Sequence, residues 1–161
     1  MKTIIVDEKA FKENPTKYLN TFREFAPDET EETMLRTLNN RESVFCFVFD
    51  DNDLVVSWAR GVMAYNRQTI YIIRQVETKE EFKGKGYAGL CYTAIEEYLS
   101  KQDKAKRIIT FVDAENISSI KFHEKMGYTR VEPSKYLKDL YGWENAYMYE
   151  KEIEIENENH D

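Results

Sequence analysis

The sequence predicts an α/β protein of the α+β type, with about seven strands, mostly antiparallel, and helices between them. Three observations predict it. The stretches "SVFCFVF", "LVVSWARGVMAY" and "TIYIIRQVET" are apolar, β-branched and aromatic, and only the short turns "DDND" and "NRQ" part them, so they pair as antiparallel neighbours. Behind them the pattern becomes charged loop, glycine turn, helix, and then the strand "RIITFVD". The chain closes on another helix and two strand segments, "YTRV" and "AYMYEKEIEI".

Taken in order, "MKTIIVDEKAF" opens with a first strand, its apolar stretch being too short for the core of a signal peptide. Asn14 then caps a helix with Pro15 at its first position, and Tyr18, Leu19, Phe22 and Phe25 repeat at helical spacing. Pro27 and Asp28 break it. A second helix carries Met34, Leu35 and Leu38 on one side and ends at Asn39 and Asn40. Past the three strands, the helix behind the glycines shows Ala88, Cys91, Ile95 and Tyr98 on one face. Asn116 caps a further helix through Ile117, Ile120 and Met126, stopped by Gly127.

Length and composition bound the function. A chain of 161 residues suits one domain, 1–161, with 156–161 as a disordered tail. No apolar run approaches the ~20 residues that cross a bilayer, and the expectation is a soluble, cytoplasmic protein without a membrane partner. The net charge of -7 argues against nucleic acid, whose phosphates need clustered Lys and Arg, and favours cationic partners. Cys46 and Cys91 sit in apolar surroundings and read as buried thiols. With only His123 and His160 available, no metal site is expected.

The chemistry concentrates in "GKGYAG", Gly84 to Gly89, which fits two phosphate-binding patterns at once. As G-x-G-x-x-G it is a dinucleotide fingerprint, and Asp113 stands near the ~20-residue distance at which that fold places its acidic residue. In that fold, however, the first glycine ends its strand almost directly, whereas "KEEFK" intervenes here. The antiparallel strands before the loop and the short remainder after it leave no room for two mononucleotide-binding halves. A P-loop would need Lys-Ser or Lys-Thr after its second glycine, and a kinase glycine loop needs a longer chain.

Read from Lys83, the same stretch approaches [Q/R]-x-x-G-x-[G/A], and a second motif lies some thirty residues on. In "ENISSIKFHEKMGY", Asn116, Ser119, Phe122, His123, Lys125, Gly127 and Tyr128 fall in register with N-x-x-[A/S]-x-x-[L/F]-[Y/H]-x-K-x-G-[F/Y]. Together the two motifs resemble the GNAT superfamily of acyl-CoA N-acyltransferases, over about residues 43–150.

That resemblance implies a mixed, mostly antiparallel central sheet with helices on both faces, whose fourth and fifth strands run parallel and splay apart around the pantetheine arm of acetyl-CoA, the expected co-substrate. Main chain near Val76 and Thr78 would pair with the arm's amides, and Asn116 would bind the arm while capping its helix. The pyrophosphate would rest on Lys83, Gly84, Lys85, Gly86, Tyr87 and Ala88, where backbone N–H groups at a helix start meet negative charge and the lysines add to it. Gly89 becomes a helix-packing position. The reaction implied is direct attack of a primary amine on the thioester, and losing the amine's proton at pH 7 costs about 4 to 5 kcal/mol without help. Glu77 is the candidate base. The family commonly has a tyrosine where His123 stands, so His123 is the candidate donor to the departing thiolate. A non-catalytic acyl-CoA-binding or protein-interaction module on the same fold is the alternative. The acceptor, a small-molecule or peptide amine, would meet "FREFAPDETEETMLRTL" and "SKYLKDLYGWENAYMY", whose Tyr141, Trp143 and Tyr147 are assigned to the core. A monomer or homodimer is expected.

Overall fold

The computed structural model describes residues 1–65, 67–141 and 144–154. Among these, β1 (Lys2–Val6), β2 (Val44–Phe49), β3 (Val55–Ala64) and β4 (Arg67–Thr78) form an antiparallel meander. β5 (Arg107–Asp113) joins β4 in parallel, and β7 (Ala146–Glu152) lies antiparallel between β5 and β6 (Thr129–Val131). The resulting order of the seven-stranded sheet is β1-β2-β3-β4-β5-β7-β6. The expected mixed sheet is thus present, with its parallel pair where the resemblance implied it.

Several helices begin where side chains satisfy their first N–H groups. Asp7 accepts from Ala10 N at 2.9 Å to start α1 (Glu8–Glu13), and Asn14 accepts from Lys17 N to start α2 (Pro15–Phe22) with proline at its first position. Thr30 and Thr33 bond reciprocally at the start of α3 (Glu31–Asn39). α4 (Tyr87–Ser100) follows the glycines, and α5 (Ile117–Lys125) follows Asn116. Two short helices differ from expectation. α1 was not foreseen, because six residues that bury only Phe11 carry no repeat to read. α6 (Lys135–Tyr141) replaces the expected final hairpin loop and buries only Leu137. Within "KEEFK", Glu80–Phe82 forms a 3₁₀ turn instead of an open loop.

Strand alternation sorts the core into two faces. On one, Cys46, Ala59, Tyr71 and Ile108 pack under Cys91, Ile95 and Leu99 of α4. On the other, Phe45, Phe47 and Trp58 meet Phe11, Phe22, Met34 and Leu38 of α1 to α3. Phe22 carries that contact, with its ring 4.8 Å from Trp58 and 4.9 Å from Phe45. Further along this face, Leu137 of α6 covers Val62, Ile72, Ile109 and Met148. Both cysteines are buried free thiols, and the Cys91 side chain together with burial pushes the Cys46 thiol far above its ordinary range. Tyr141 and Tyr147 are half-buried at the margin of the core, short of the full burial expected. Trp143 and the tail 156–161 lie outside the described residues.

Gly61 makes room for the buried ring of Tyr71 on the neighbouring strand, since a Cβ there would lie 2.2 Å from Tyr71 Cε1. That ring cannot retreat without disturbing a packed interior. Gly61→Ala should lower stability by roughly 1–3 kcal/mol through overpacking. Urea unfolding checks this, and an unchanged midpoint would show that Tyr71 has space to yield.

Candidate active site

The site starts from a parting of two strands. β4 and β5 pair only over Ile70–Ile72 and Arg107–Ile109, although both run further. Opposite, the β3–β4 register slips between Arg60↔Gln75 and Gly61↔Ile73, which leaves Arg74 as an extra residue in β4. Such a bulge bends its strand and raises its twist, here away from β5. The Thr110 hydroxyl donates to Ile73 O at 3.1 Å and fills the first gap in the ladder. Beyond it, the β4 edge facing β5 has no strand beside it through Thr78 among the described residues.

The opening is a cleft of about 530 Å³. β4 contributes Ile73, Arg74, Val76 and Thr78 to its walls, β5 contributes Thr110 and Phe111, and α5 with its cap contributes Asn116, Ser119, Phe122 and His123. Its outer end is the glycine turn, with Lys83, Gly84, Gly86, Tyr87 and Ala88. Most sequence-derived candidates therefore share one cavity. Two do not line it. Lys85 places its ammonium 5.5 Å from the Phe82 ring centroid, and Glu77, between two lining residues of an extended strand, turns to the opposite face and accepts from Trp58 Nε1 at 3.1 Å.

The turn is shaped by backbone, not side chains. Gly84 and Gly86 have φ of +78° and +87°, and a Cβ on either would meet nothing within 4 Å, so the space before them is open. Gly86 caps α4 without any side-chain bond. Among the described residues, the N–H groups of Gly84 through Gly89 donate to no protein acceptor. Unpaired donors at the positive end of a fourteen-residue helix suit an anion. The Lys83 ammonium pairs with Glu80 at 2.8 Å, which raises its pKa. Gly89 packs instead on α5, where a Cβ would lie 3.5 Å from Met126 Sδ. Asn116 Oδ1 accepts from Ser119 N at 3.0 Å, which leaves its amide NH₂ for the cleft.

His123 is buried, and both of its ring nitrogens are engaged. Nδ1 lies 2.7 Å from the Ser119 carbonyl, which can only accept, so Nδ1 carries the hydrogen. Nε2 then accepts from the Tyr92 hydroxyl at 2.8 Å. Burial lowers the His123 pKa, partly offset by the bond to Ser119, so the ring is neutral at pH 7. Burial likewise pushes the Tyr92 phenol up. Tyr92 lines the cleft and was missed by sequence reasoning, which followed Ala88, Cys91 and Ile95 along α4. The step of four from Ala88 points to it.

Among the described residues, no helix is long and apolar enough to cross a membrane, and no cluster of His, Cys, Asp and Glu could hold a metal. No curated protein matches the sequence. Solved structures share its fold at low identity. A putative acetyltransferase from Acinetobacter baylyi aligns at TM-score 0.68 and 12% identity, covering 99% of this chain and 97% of its own. The ribosomal-protein-S18-alanine N-acetyltransferase from Escherichia coli aligns at TM-score 0.63 and 14% identity, covering 99% of each chain. An aminoglycoside 6'-N-acetyltransferase complexed with coenzyme A aligns at 0.62 and 15%, covering 95% and 97%. The family model for GNAT acetyltransferases matches residues 11–128, well over half of the sequence, and the chain belongs to that family.

Proposed function

We propose that the protein transfers an acetyl group from acetyl-CoA to a primary amine. The observation that carries this reading is the continuity of one cleft, from the unpaired N–H groups of Gly84 through Gly89 to the unpaired β4 edge. The turn would hold the pyrophosphate, with Lys83, Tyr87 and Ala88 around it and Lys85 adding charge from outside the cleft. The main chain at Val76 and Thr78 and the Asn116 amide would hold the pantetheine arm. When bound, acetyl-CoA supplies a thioester carbonyl open to direct attack by a neutral amine.

The protein's own groups manage the protons. Glu77 lies on the face opposite α4, beside the gap between β4 and β5, where it can take the amine's proton as the acceptor enters. His123 acts through Tyr92, because its Nε2 fixes the hydroxyl at the cleft wall. That hydroxyl can turn to hydrogen-bond the departing sulfur. A thiolate with an unperturbed pKa near ~8.5 needs no stronger acid. A second reading, an acyl-CoA-binding module without catalysis, is favoured by the engagement of both His123 nitrogens. Amine-dependent release of free thiol separates the two, since a binding module shows cofactor affinity without it.

Calorimetric titration of acetyl-CoA is the first test. Gly86→Val forces a β-branched residue to positive φ and fills the open space, so affinity should fall at least about tenfold, or ~1.4 kcal/mol. Equal affinity in the variant would remove the turn from the site. Glu77→Gln keeps an acceptor for Trp58 but no base, and kcat should drop about 100-fold. Unchanged kcat leaves Glu77 as an anchor for Trp58. His123→Phe should reduce kcat about tenfold with KM for acetyl-CoA unaltered, and Tyr92→Phe in the same background should add little. Stability gives an independent readout. Because the folded-state pKa of His123 lies below its unfolded value, the native state loses stability as pH falls below about 6.5. Thermal melts should show that acid-side slope in the wild type and a shallower one in His123→Phe.

A further inference from the structure

On the face of the sheet opposite α4, a second cavity of about 510 Å³ is lined by Arg41, Arg60 and Arg74 with Asn40, Tyr65 and Tyr141, and among the described residues by no carboxylate. This is unusual in a chain of net charge -7. Arg36 and Arg107 are paired with Glu32 and Glu150, whereas Arg41, Arg60 and Arg74 form no salt bridge among the described residues. Arg60 Nε is buried without a hydrogen-bond partner among the described residues. Burial, with the charges of Arg74 and Arg41 nearby, lowers the Arg60 pKa, although a guanidinium stays protonated.

The cavity also has a built donor. The Tyr141 hydroxyl oxygen accepts from Arg41 Nη1 at 2.8 Å and from Tyr65 N at 2.6 Å, so its own hydrogen is left over, with no acceptor among the described residues. The Arg74 guanidinium stands 5.6 Å from the ring centroid of the same tyrosine. Arg41 reaches the cavity from a strained turn, where Arg41 and Glu42 have φ of 49° and 53°. Successive non-glycine residues in that left-handed region are strained. The turn is held by Met63 N donating to Arg41 O and by the Tyr71 hydroxyl donating to Glu42 O.

Arg74 lines both this cavity and the cleft, at the bulge where β4 and β5 part. The arginines thus adjoin the inner end of the cleft, away from the glycine turn. We propose that Arg41, Arg60, Arg74 and Tyr141 form an oxyanion subsite for the acceptor, which is a small amine carrying a carboxylate or a phosphate. This rests on the acetyltransferase reading of the cleft. It departs from the cationic acceptor suggested by overall charge, because the local field here is positive. Guanidiniums pair with planar carboxylates and with phosphates in two-point geometry, and an oxyanion would relieve the mutual repulsion of the three.

The test pairs acceptors that differ only in the anion. α-Amino acids are compared with their amides, and aminoalkyl phosphates with the corresponding amino alcohols, by thiol release from acetyl-CoA. The anionic member of at least one pair should have a kcat/KM about 30-fold higher or more. The carboxylate and phosphate arms tell which oxyanion is used. Arg60→Gln, and Arg41→Gln as a second variant if the first does not fold, should raise KM for that acceptor about tenfold and leave the acetyl-CoA Kd unchanged. A readout free of turnover uses inorganic phosphate, which should raise the melting temperature of the wild type more than that of either variant, with or without acetyl-CoA. Equal rates within every pair, or equal phosphate protection of wild type and variants, overturns the subsite. Absence of acetyl-CoA binding overturns the acetyltransferase reading instead, and the phosphate comparison made without cofactor still decides on the subsite.

Discussion

β4 and β5 can stay hydrogen-bonded or make room for a ligand, but they cannot do both, and the sheet resolves this within a few residues. Their ladder holds at Ile70–Ile72, Arg74 is inserted opposite β3, and Thr110 bonds the Ile73 carbonyl as the strands separate. A peptide edge left bare in a packed domain loses about 1 kcal/mol for each bond not made, and more where water is excluded. Keeping the edge open to a cleft avoids that loss until an extended partner arrives. The placement of α4 and α5 along the same opening follows from this one parting.

The two faces of the sheet thereby acquire separate tasks. On the α4 face lie the glycine turn, Asn116 and the Tyr92–His123 pair. On the opposite face lie Glu77, held by Trp58, and the cavity of Arg41 and Arg60. Arg74 touches both. A ligand in each would meet across the gap, which suits a transfer between two molecules better than binding of one. Gly61 supports this arrangement from a distance, since the Tyr71 ring it admits reaches Glu42 and so steadies the turn that presents Arg41.

Much of this was legible in the residues. Alternation in "SVFCFVF" and the caps at Asn14 and Asn116 gave strands and helix starts, because each depends on neighbours in sequence. The paired motifs located the cleft because its turn and α5 are local structures. Tyr92 was hidden by being one of several apolar-looking positions on α4, and only its contact with His123, 31 residues on, reveals its setting. The arginine cavity was less legible still. Arg41, Arg60 and Arg74 come from a loop and two strands, and charge totals average a positive island into an acidic surface. The short helices α1 and α6 escaped because each buries a single apolar residue, which no periodicity can register.

At the glycine turn, the flanking cations are largely spoken for: Lys83 is tied to Glu80, and Lys85 rests against Phe82. Beside that open space are backbone N–H groups that donate to no protein acceptor among the described residues. Such a cradle responds to where oxygens sit more than to how much charge approaches. In the proposed reading it would therefore sort a linked pair of phosphates from a generic polyanion by shape, while salt would still weaken binding at this exposed turn.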